Sequence, residues 1–414
     1  MRYLLICLLA VACVFSTTAV QQVKAQEGSA VLSPEQISGE SAILIDAKTG
    51  QVLFEKNSHA KLYPASITKI ATGIYAIENG NPDDIVTVSK RARWEEGTRV
   101  YLAEGEQVTL KKLEYGLLMN SGNDAATAIA EHLSGTVEQF AERLNAYLVE
   151  KVGIEETHFT NAHGLHDPNH YTTAADMAKI AQYAMQNPIF REIVATERLP
   201  WDGLEWQTVL VNHNKLLRNY EGATGIKNGF TDQARNTLVG SAKRGDTEFI
   251  AVTMKAGSSN LSYKDVTAML DYGFAHFETK QIAHAGQAFT RAKQSIQQTS
   301  QEEAPTYTAD SDLYATVPLG TTPETEVTAD GQLIVRAGEL SRTYALKRKE
   351  EPRVAAAAST SKEEPESVPT GPRYGILFTW LGLNLFLVTY TVARARKRRR
   401  QRMRQIPRNW SRMQ

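Results

Sequence analysis

Apolar and polar positions follow two different periods along the chain, and the changes of period mark its parts. Residues 41–46 and 51–57 read as short strands around Ala47-Lys48-Thr49-Gly50, a turn-forming tetrapeptide, so a β-hairpin is predicted there. From residue 110 the spacing becomes helical, with Leu110, Leu113, Leu117 and Leu118, then Ala126, Ile129, Ala130 and Leu133, then Phe140, Leu144 and Leu148. Thr173, three residues ahead of Asp176, can cap a further helix carrying Met177, Ile180 and Ala181. Residues 236–241 and 248–254 flank Lys243-Arg244-Gly245-Asp246 as a second hairpin. Strands at both ends of this stretch, with helices between, predict an α+β fold: one antiparallel sheet built from distant segments and packed with helices.

Beyond residue 275 the pattern weakens. Alternation at 312–317, 331–336 and 342–347, separated by turn residues, predicts a small β-rich domain over 276–350, with a polar loop at 294–308. Residues 351–372 are rich in Ala, Ser, Pro and Glu with almost nothing to bury, which reads as a disordered linker. Residues 374–393 then read YGILFTWLGLNLFLVTYTVA, uncharged and long enough to cross a bilayer, so 373–393 is expected to be one transmembrane helix. The tail behind it, 394–414, holds ten Lys or Arg and no acid, the bias that keeps a segment cytoplasmic and leaves the body outside.

At the front, Met1 and Arg2 precede an apolar stretch, and Val23-Lys24-Ala25 offers small residues for cleavage, so 1–25 reads as a signal peptide. An uncleaved anchor is the alternative; the box Ala10-Val11-Ala12-Cys13 only faintly resembles a lipoprotein site. The expected location is the cell membrane, single-pass, with residues 26–275 as an extracytoplasmic catalytic domain. Cys7 and Cys13, the two cysteines of the 414 residues, fall inside the leader, which excludes disulfides and cysteine nucleophiles from the mature protein. The formal net charge of zero hides an asymmetry: without the tail and leader, 34 Lys and Arg face 46 Asp and Glu. An acidic body of this kind argues against nucleic acid as a partner.

Three short constellations carry chemistry. In Pro64-Ala65-Ser66-Ile67-Thr68-Lys69 the spacing places Ser66 and Lys69 a turn apart on one helix face. A serine hydroxyl needs a base, and lysine is one only where burial and a neighbouring cation leave it neutral. Ser121-Gly122-Asn123 lies between two helices, where Ser121 can relay a proton and the Asn123 amide can hold a peptide group; an ordinary capped turn is the plain alternative. Gly225-Ile226-Lys227-Asn228-Gly229-Phe230-Thr231 reads as a strand able to pair with an extended peptide. In it Gly229 permits close approach and Lys227 offers charge to a carboxylate, unless it is simply a surface strand with a solvated lysine.

In that order, the three resemble the serine penicillin-recognising enzymes, whose motifs are S-x-x-K, S-D-N and K-T-G. The Ser-Gly-Asn form, with YPASITKIAT, LLMNSGNDAATAIAE, FTNAHGL, YTTAADMAKIA and GIKNGFT, is similar to the low-molecular-weight D-alanyl-D-alanine carboxypeptidases over roughly residues 36 to 275. The resemblance implies a β-lactamase-like fold, no cofactor, no metal, a peptidoglycan stem peptide as substrate and β-lactams as inhibitors. It further implies Ser66, Lys69 and Ser121 as catalytic residues, Asn123, Lys227, Asn228, Gly229 and Phe230 as substrate-binding residues, and an oxyanion held by the Ser66 and Phe230 N–H groups.

Departures from the family pattern are expected to matter. A literal Lys48-Thr49-Gly50 precedes Ser66, in the wrong order for the third motif, while Asn228 stands where the family has Thr. No arginine suggests itself for the substrate carboxylate, and Lys255 is the substitute named in its place. A class A β-lactamase is disfavoured, since Glu142-Arg143-Leu144-Asn145 is one residue short of E-x-x-L-N. A transpeptidase, an endopeptidase and an inactive wall-binding module stay open. Trp201 and Trp206 are read as packing or loop residues, with contact to glycan as the alternative, and His158, His163, His166 and His170 as loop residues without a matched carboxylate set.

Overall fold

The structure, a computed structural model, describes residues 31–290 and 306–349. The predicted signal peptide, linker, transmembrane helix and basic tail lie outside the described residues.

Five strands form the main sheet: β1 (Ser41–Asp46), β2 (Val52–Lys56), β3 (Ala223–Thr231), β4 (Arg235–Arg244) and β5 (Thr247–Ala256). Their order is β2-β1-β5-β4-β3, antiparallel throughout, so both ends of the catalytic stretch meet where Ile43 pairs with Val252. Every residue of β1 is buried, because the sheet is covered on both faces. Ile43 and Ile45 point into the larger core, while Ala42 and Leu44 pack with Phe249, Ala251, Val266 and Leu270 on the other side. β3 is an edge strand, as peptide pairing requires.

One face carries the helices α1 (Lys69–Asn79), α2 (Leu110–Met119), α3 (Asn123–Ser134), α4 (Val137–Val152) and α5 (Ala174–Ala184). The side chains of Thr109, Thr136 and Thr173 cap three of them by accepting the N–H groups of Lys112, Gln139 and Asp176. In α1, every residue from Lys69 to Ala76 is buried. A helix apolar all round belongs at the centre of a domain, and this central place is what removes Lys69 from water.

The other face is covered by α6 (Ser259–His276), which the apolar spacing does not reveal. Its inward face mixes Val266, Met269 and Leu270 with Ser262 and Asp265. Asp265 accepts hydrogen bonds from the Ser38 and Gly39 N–H groups and the Ser38 and Thr253 hydroxyls, so part of this contact is polar stitching rather than an apolar stripe.

The chain passes from α6 straight into the β-rich part. There Phe277–Ala283 pairs with Leu313–Pro318, and Gln332–Ala337 lies between Glu324–Val327 and Leu340–Ala345. Within the stretch expected to be loop, Thr306–Thr308 is a strand bonded to Ala288–Thr290. Leu313, Val317, Leu333 and Val335 make a core of their own. Buried Asp46 joins this part to the main sheet, accepting from the hydroxyls of Thr279 at 2.7 Å and Thr316 at 2.9 Å. Thr49 bonds Thr316 at 2.6 Å, and Arg342 donates to the Thr49 carbonyl. The early Lys48-Thr49-Gly50 is therefore a hairpin turn committed to an interdomain contact.

Candidate active site

Ser66 lies in a single 3-10 turn, Ala65–Thr68, that runs directly into α1. Ala65 is held at φ +52°, a region unfavourable to any residue with a Cβ. The turn is secured from outside: Thr68 Oγ1 donates to the Ala65 carbonyl and Thr237 Oγ1 of β4 to the Pro64 carbonyl, each at 2.9 Å. Gly164 presses against the same turn, where a Cβ would stand 1.9 Å from the Ala65 carbonyl oxygen.

Lys69 is the first residue of α1 and fully buried. Its Nζ lies 3.1 Å from Ser66 Oγ, 2.6 Å from Asn123 Oδ1 and 2.7 Å from the His163 carbonyl oxygen. Burial holds its pKa well below the ordinary lysine value and the Lys227 charge lowers it further, against the opposing pull of Asp124 and Glu95. The positive end of α1 acts in the same direction as burial. A neutral amine has two N–H groups and one lone pair. Here the two N–H groups match the two carbonyl oxygens, which leaves the lone pair for the Ser66 hydroxyl, as a general base requires.

Ser121, Gly122 and Asn123 turn the chain from α2 into α3, with Ser121 at φ +64°. The Asn123 amide is fixed at both ends: Oδ1 accepts from Lys69, and Nδ2 donates to the Glu96 carbonyl at 2.6 Å. One amide hydrogen remains for a substrate. Next in the chain, the buried Asp124 carboxylate accepts the N–H groups of Val100 at 3.0 Å, Leu102 at 3.1 Å and Ala125 at 2.9 Å. Residues 96–102 are thereby strapped across the motif. Sequence reading missed this strap and the His163 carbonyl, because most of the groups involved belong to the backbone and leave no side-chain signature.

β3 forms the opposite wall. A Cβ on Gly229 would fall 2.7 Å from the Ser66 nitrogen and 2.6 Å from Thr237 Oγ1, so only glycine lets this strand approach the Ser66 turn. Lys227, 1% exposed, donates to the Asn228 carbonyl at 2.9 Å, and burial brings its pKa down to about 7. Phe230 stands exposed at the rim.

Asn228 borders a separate cleft of about 510 Å³, and its Oδ1 is buried with no hydrogen-bond partner among the described residues. Lys255, the substitute named for the carboxylate-binding cation, instead pairs with Glu40 at 2.6 Å from the end of β5. Its charge is already partnered. Trp201 is buried in the core and Trp206 packs edge to face on Tyr101 at 5.2 Å between ring centres. The His170 ring lies between Thr68 Oγ1 and the Thr160 N–H, and His163 Nδ1 accepts the Leu165 N–H.

The arrangement suits acyl transfer: a hydroxyl facing an amine kept neutral, the Ser121 turn two residues ahead of the amine's partner Asn123, and the Lys227 strand against the Ser66 turn. Comparison with known proteins agrees with it. The sequence profile of the D-alanyl-D-alanine carboxypeptidases, peptidase S11, matches residues 27–258. The chain belongs to this family. It is 36% identical over 259 residues to the D-alanyl-D-alanine carboxypeptidase DacF of Bacillus subtilis, a match covering 61% of this chain and 66% of that protein. Against DacD of Escherichia coli it is 35% identical over 268 residues, covering 61% and 67%. The chain thus spans about two thirds of the curated relatives it matches. Among solved structures, penicillin binding protein 5 from Haemophilus influenzae superposes with a TM-score of 0.67 at 27% identity, over 77% of this chain and 98% of that one. The likeness extends through the β-rich part, so both the α+β catalytic fold and the β-rich region after it are shared.

Proposed function

We propose that the protein is a serine D,D-carboxypeptidase that removes the terminal D-alanine from peptidoglycan stem peptides. The observation that carries this reading is the Lys69 amine, buried, held by two carbonyl oxygens and 3.1 Å from Ser66 Oγ. Lys69 takes the Ser66 proton, and Ser66 attacks the carbonyl between the two D-alanines. The backbone N–H groups of Ser66 and Phe230 hold the oxyanion, a contribution of about 3 kcal/mol for each donor. Ser121 passes the proton to the leaving amine, and water then hydrolyses the acyl-enzyme.

On the binding side, Lys227 and the Asn228 amide hold the terminal carboxylate, Gly229 lets the peptide lie along β3, and the free Asn123 N–H receives a substrate carbonyl. β-Lactams acylate the same serine. The sequence supports an exported protein held by one transmembrane helix, with its catalytic part outside the cell membrane. The test is intact-mass measurement after incubation with penicillin, followed by peptide mapping. One adduct on the peptide containing Ser66 is expected; an adduct elsewhere, or none, removes the proposal.

A further inference from the structure

Proton transfer from Ser66 creates a charge that the groups bonded to Lys69 do not balance. The lysine is fully buried, and its hydrogen-bond partners are all neutral: Ser66 Oγ, Asn123 Oδ1 and the His163 carbonyl oxygen. A buried ammonium without a counter-charge is costly. Two carboxylates, Asp124 and Glu95, favour the charged form of Lys69 against burial and the Lys227 charge. Asp124 already accepts the N–H groups of Val100, Leu102 and Ala125, which spread its charge. Glu95 is held by the hydroxyl of buried Thr127 in α3, at 2.7 Å. Arg91, a cation of the same segment, commits its guanidinium to Glu138 at 2.9 Å.

Glu95 reaches Lys69 by way of His163. The Leu165 N–H donates to His163 Nδ1 at 3.1 Å, so a neutral ring carries its proton on Nε2. That edge of the ring faces Glu95 Oε2 at 3.7 Å, with the two side chains 8% and 15% exposed. The separation is longer than a hydrogen bond, so the contact is electrostatic: a carboxylate against the positive edge of a neutral imidazole. Burial and then the Lys69 charge hold the ring's pKa well below the ordinary histidine value, so it adds no competing cation. The next residue serves the amine's other partner, since the Glu96 carbonyl accepts from Asn123 Nδ2 at 2.6 Å. Consecutive residues of one loop thus fix the two carbonyl oxygens on the Lys69 amine, Glu96 through its backbone and Glu95 through its side chain.

We propose that Glu95 is a positioning residue for the acylation step, a counter-charge that acts through His163 to stabilise the Lys69 ammonium formed when Ser66 attacks. Glu95 neither gives nor takes a proton. The proton moves from Ser66 Oγ to Lys69 Nζ as the bond from Oγ to the substrate carbonyl carbon forms, and the carboxylates of Asp124 and Glu95 answer the positive charge so created. Removing the Glu95 charge should therefore make Lys69 a weaker base without touching the groups that bind the ligand.

The role of Glu95 rests on the carboxypeptidase reading, and penicillin acylation of the full chain in detergent, followed across pH, separates the two. Glu95→Gln removes the charge and keeps an oxygen for the Thr127 hydroxyl. The acylation rate constant should fall roughly tenfold, with the noncovalent affinity for penicillin changed by less than about twofold. Because the Glu95 charge raises the Lys69 pKa, its loss should also move the acid limb of the pH profile, where Lys69 becomes protonated, to lower pH by roughly half a unit to one unit. Glu95→Asp keeps the charge one methylene further away, so both effects should have the same direction and be smaller, roughly threefold in rate. An acid limb that Glu95→Gln leaves in place overturns the proposal, as does an equal loss in both variants or a shift of the acid and alkaline limbs together. Should Glu95→Gln fail to fold, Glu95→Asp decides alone, and an unmoved limb with an unchanged rate overturns the proposal. Absence of a penicillin adduct on Ser66 in the unaltered chain overturns the underlying reading instead.

Discussion

The two walls of the groove are built on opposite principles. On the helical wall, Lys69 Nζ has three partners within 3.1 Å, the Asn123 amide is fixed at both ends, and Asp124 straps the neighbouring loop. On the strand wall, Lys227 has the Asn228 carbonyl as its hydrogen-bond partner, and Asn228 Oδ1 is buried with none among the described residues. A wall that performs proton transfer must be rigid and satisfied before substrate arrives. A wall that binds a carboxylate gains from spare donors, and Lys227, whose hydrogen bond goes to a single carbonyl, has N–H groups that a carboxylate can fill. In the proposed mechanism catalysis and recognition are divided between a helix end and a sheet edge, and substitutions on the two sides should have different signatures.

The largest effect should come from the helical wall. Ser66→Ala removes the only group that forms the acyl bond, and the turnover rate should fall by roughly 10⁴-fold or more with folding unaffected, as read by D-alanine release and thermal melting. Asn123→Ala frees Lys69 from one of its two carbonyl partners without touching the nucleophile. A loss of about 10²-fold, mostly in the turnover rate rather than in KM, is expected. If KM absorbs most of the loss, Asn123 serves substrate binding more than lysine positioning, and the division between walls is blurred.

Lys227→Met tests the strand wall. Loss of the cation should reduce the acylation efficiency by roughly 10²-fold, chiefly through KM. Stability should move the other way. With a folded-state pKa of about 7 against 10.5 for an ordinary lysine, the native protein binds fewer protons than the unfolded chain between these values. Stability from this group is therefore full above the ordinary lysine value and is lost as pH falls through the window to about 7. Methionine carries no such penalty, so near neutral pH the variant should be more stable, by on the order of a few kcal/mol. Denaturant melts of both forms across pH decide the matter, and a less stable variant at pH 7 contradicts the burial argument.

The same lysine sets an alkaline limit on activity. In the free enzyme Lys227 loses its charge above about 7, so the acylation efficiency should decline there by about tenfold per pH unit at first and level off near the loss expected for Lys227→Met. Once the carboxylate is bound the charge is held, and the turnover rate should stay flat over the same range. Lys227→Arg, whose guanidinium keeps its charge, should remove the alkaline decline. A decline that survives this change belongs to another group.

Much of this was legible in the chain, and what was not has a common cause. The Ser66 and Lys69 spacing, the turn at Ser121 and the strand at Lys227 are local patterns, and each lies where its own segment places it. The early Lys48-Thr49-Gly50 could be discounted from its order, and the structure accounts for it through Thr49 and Thr316. By contrast, the strap over Asn123 and the His163 carbonyl on Lys69 are contacts from distant backbone. Helix α6 escaped because Asp265 and Ser262 occupy its buried face. The cleft beside Asn228 draws most of its lining from residues 206–218, a stretch that carries no motif.

Asn228→Thr should have the smallest effect and the most informative sign. An orphaned buried acceptor costs about 1–3 kcal/mol, and a β-branched residue suits an edge strand, so the variant should gain about 1 kcal/mol and melt a few degrees higher. The threonine hydroxyl can donate to a carboxylate as the amide does, in less space. D-Alanine release from a pentapeptide should therefore change by less than tenfold and in the upward direction. If release falls instead while stability rises, the Asn228 N–H groups bind the carboxylate better than a hydroxyl does, and the orphaned oxygen is the cost of placing them there.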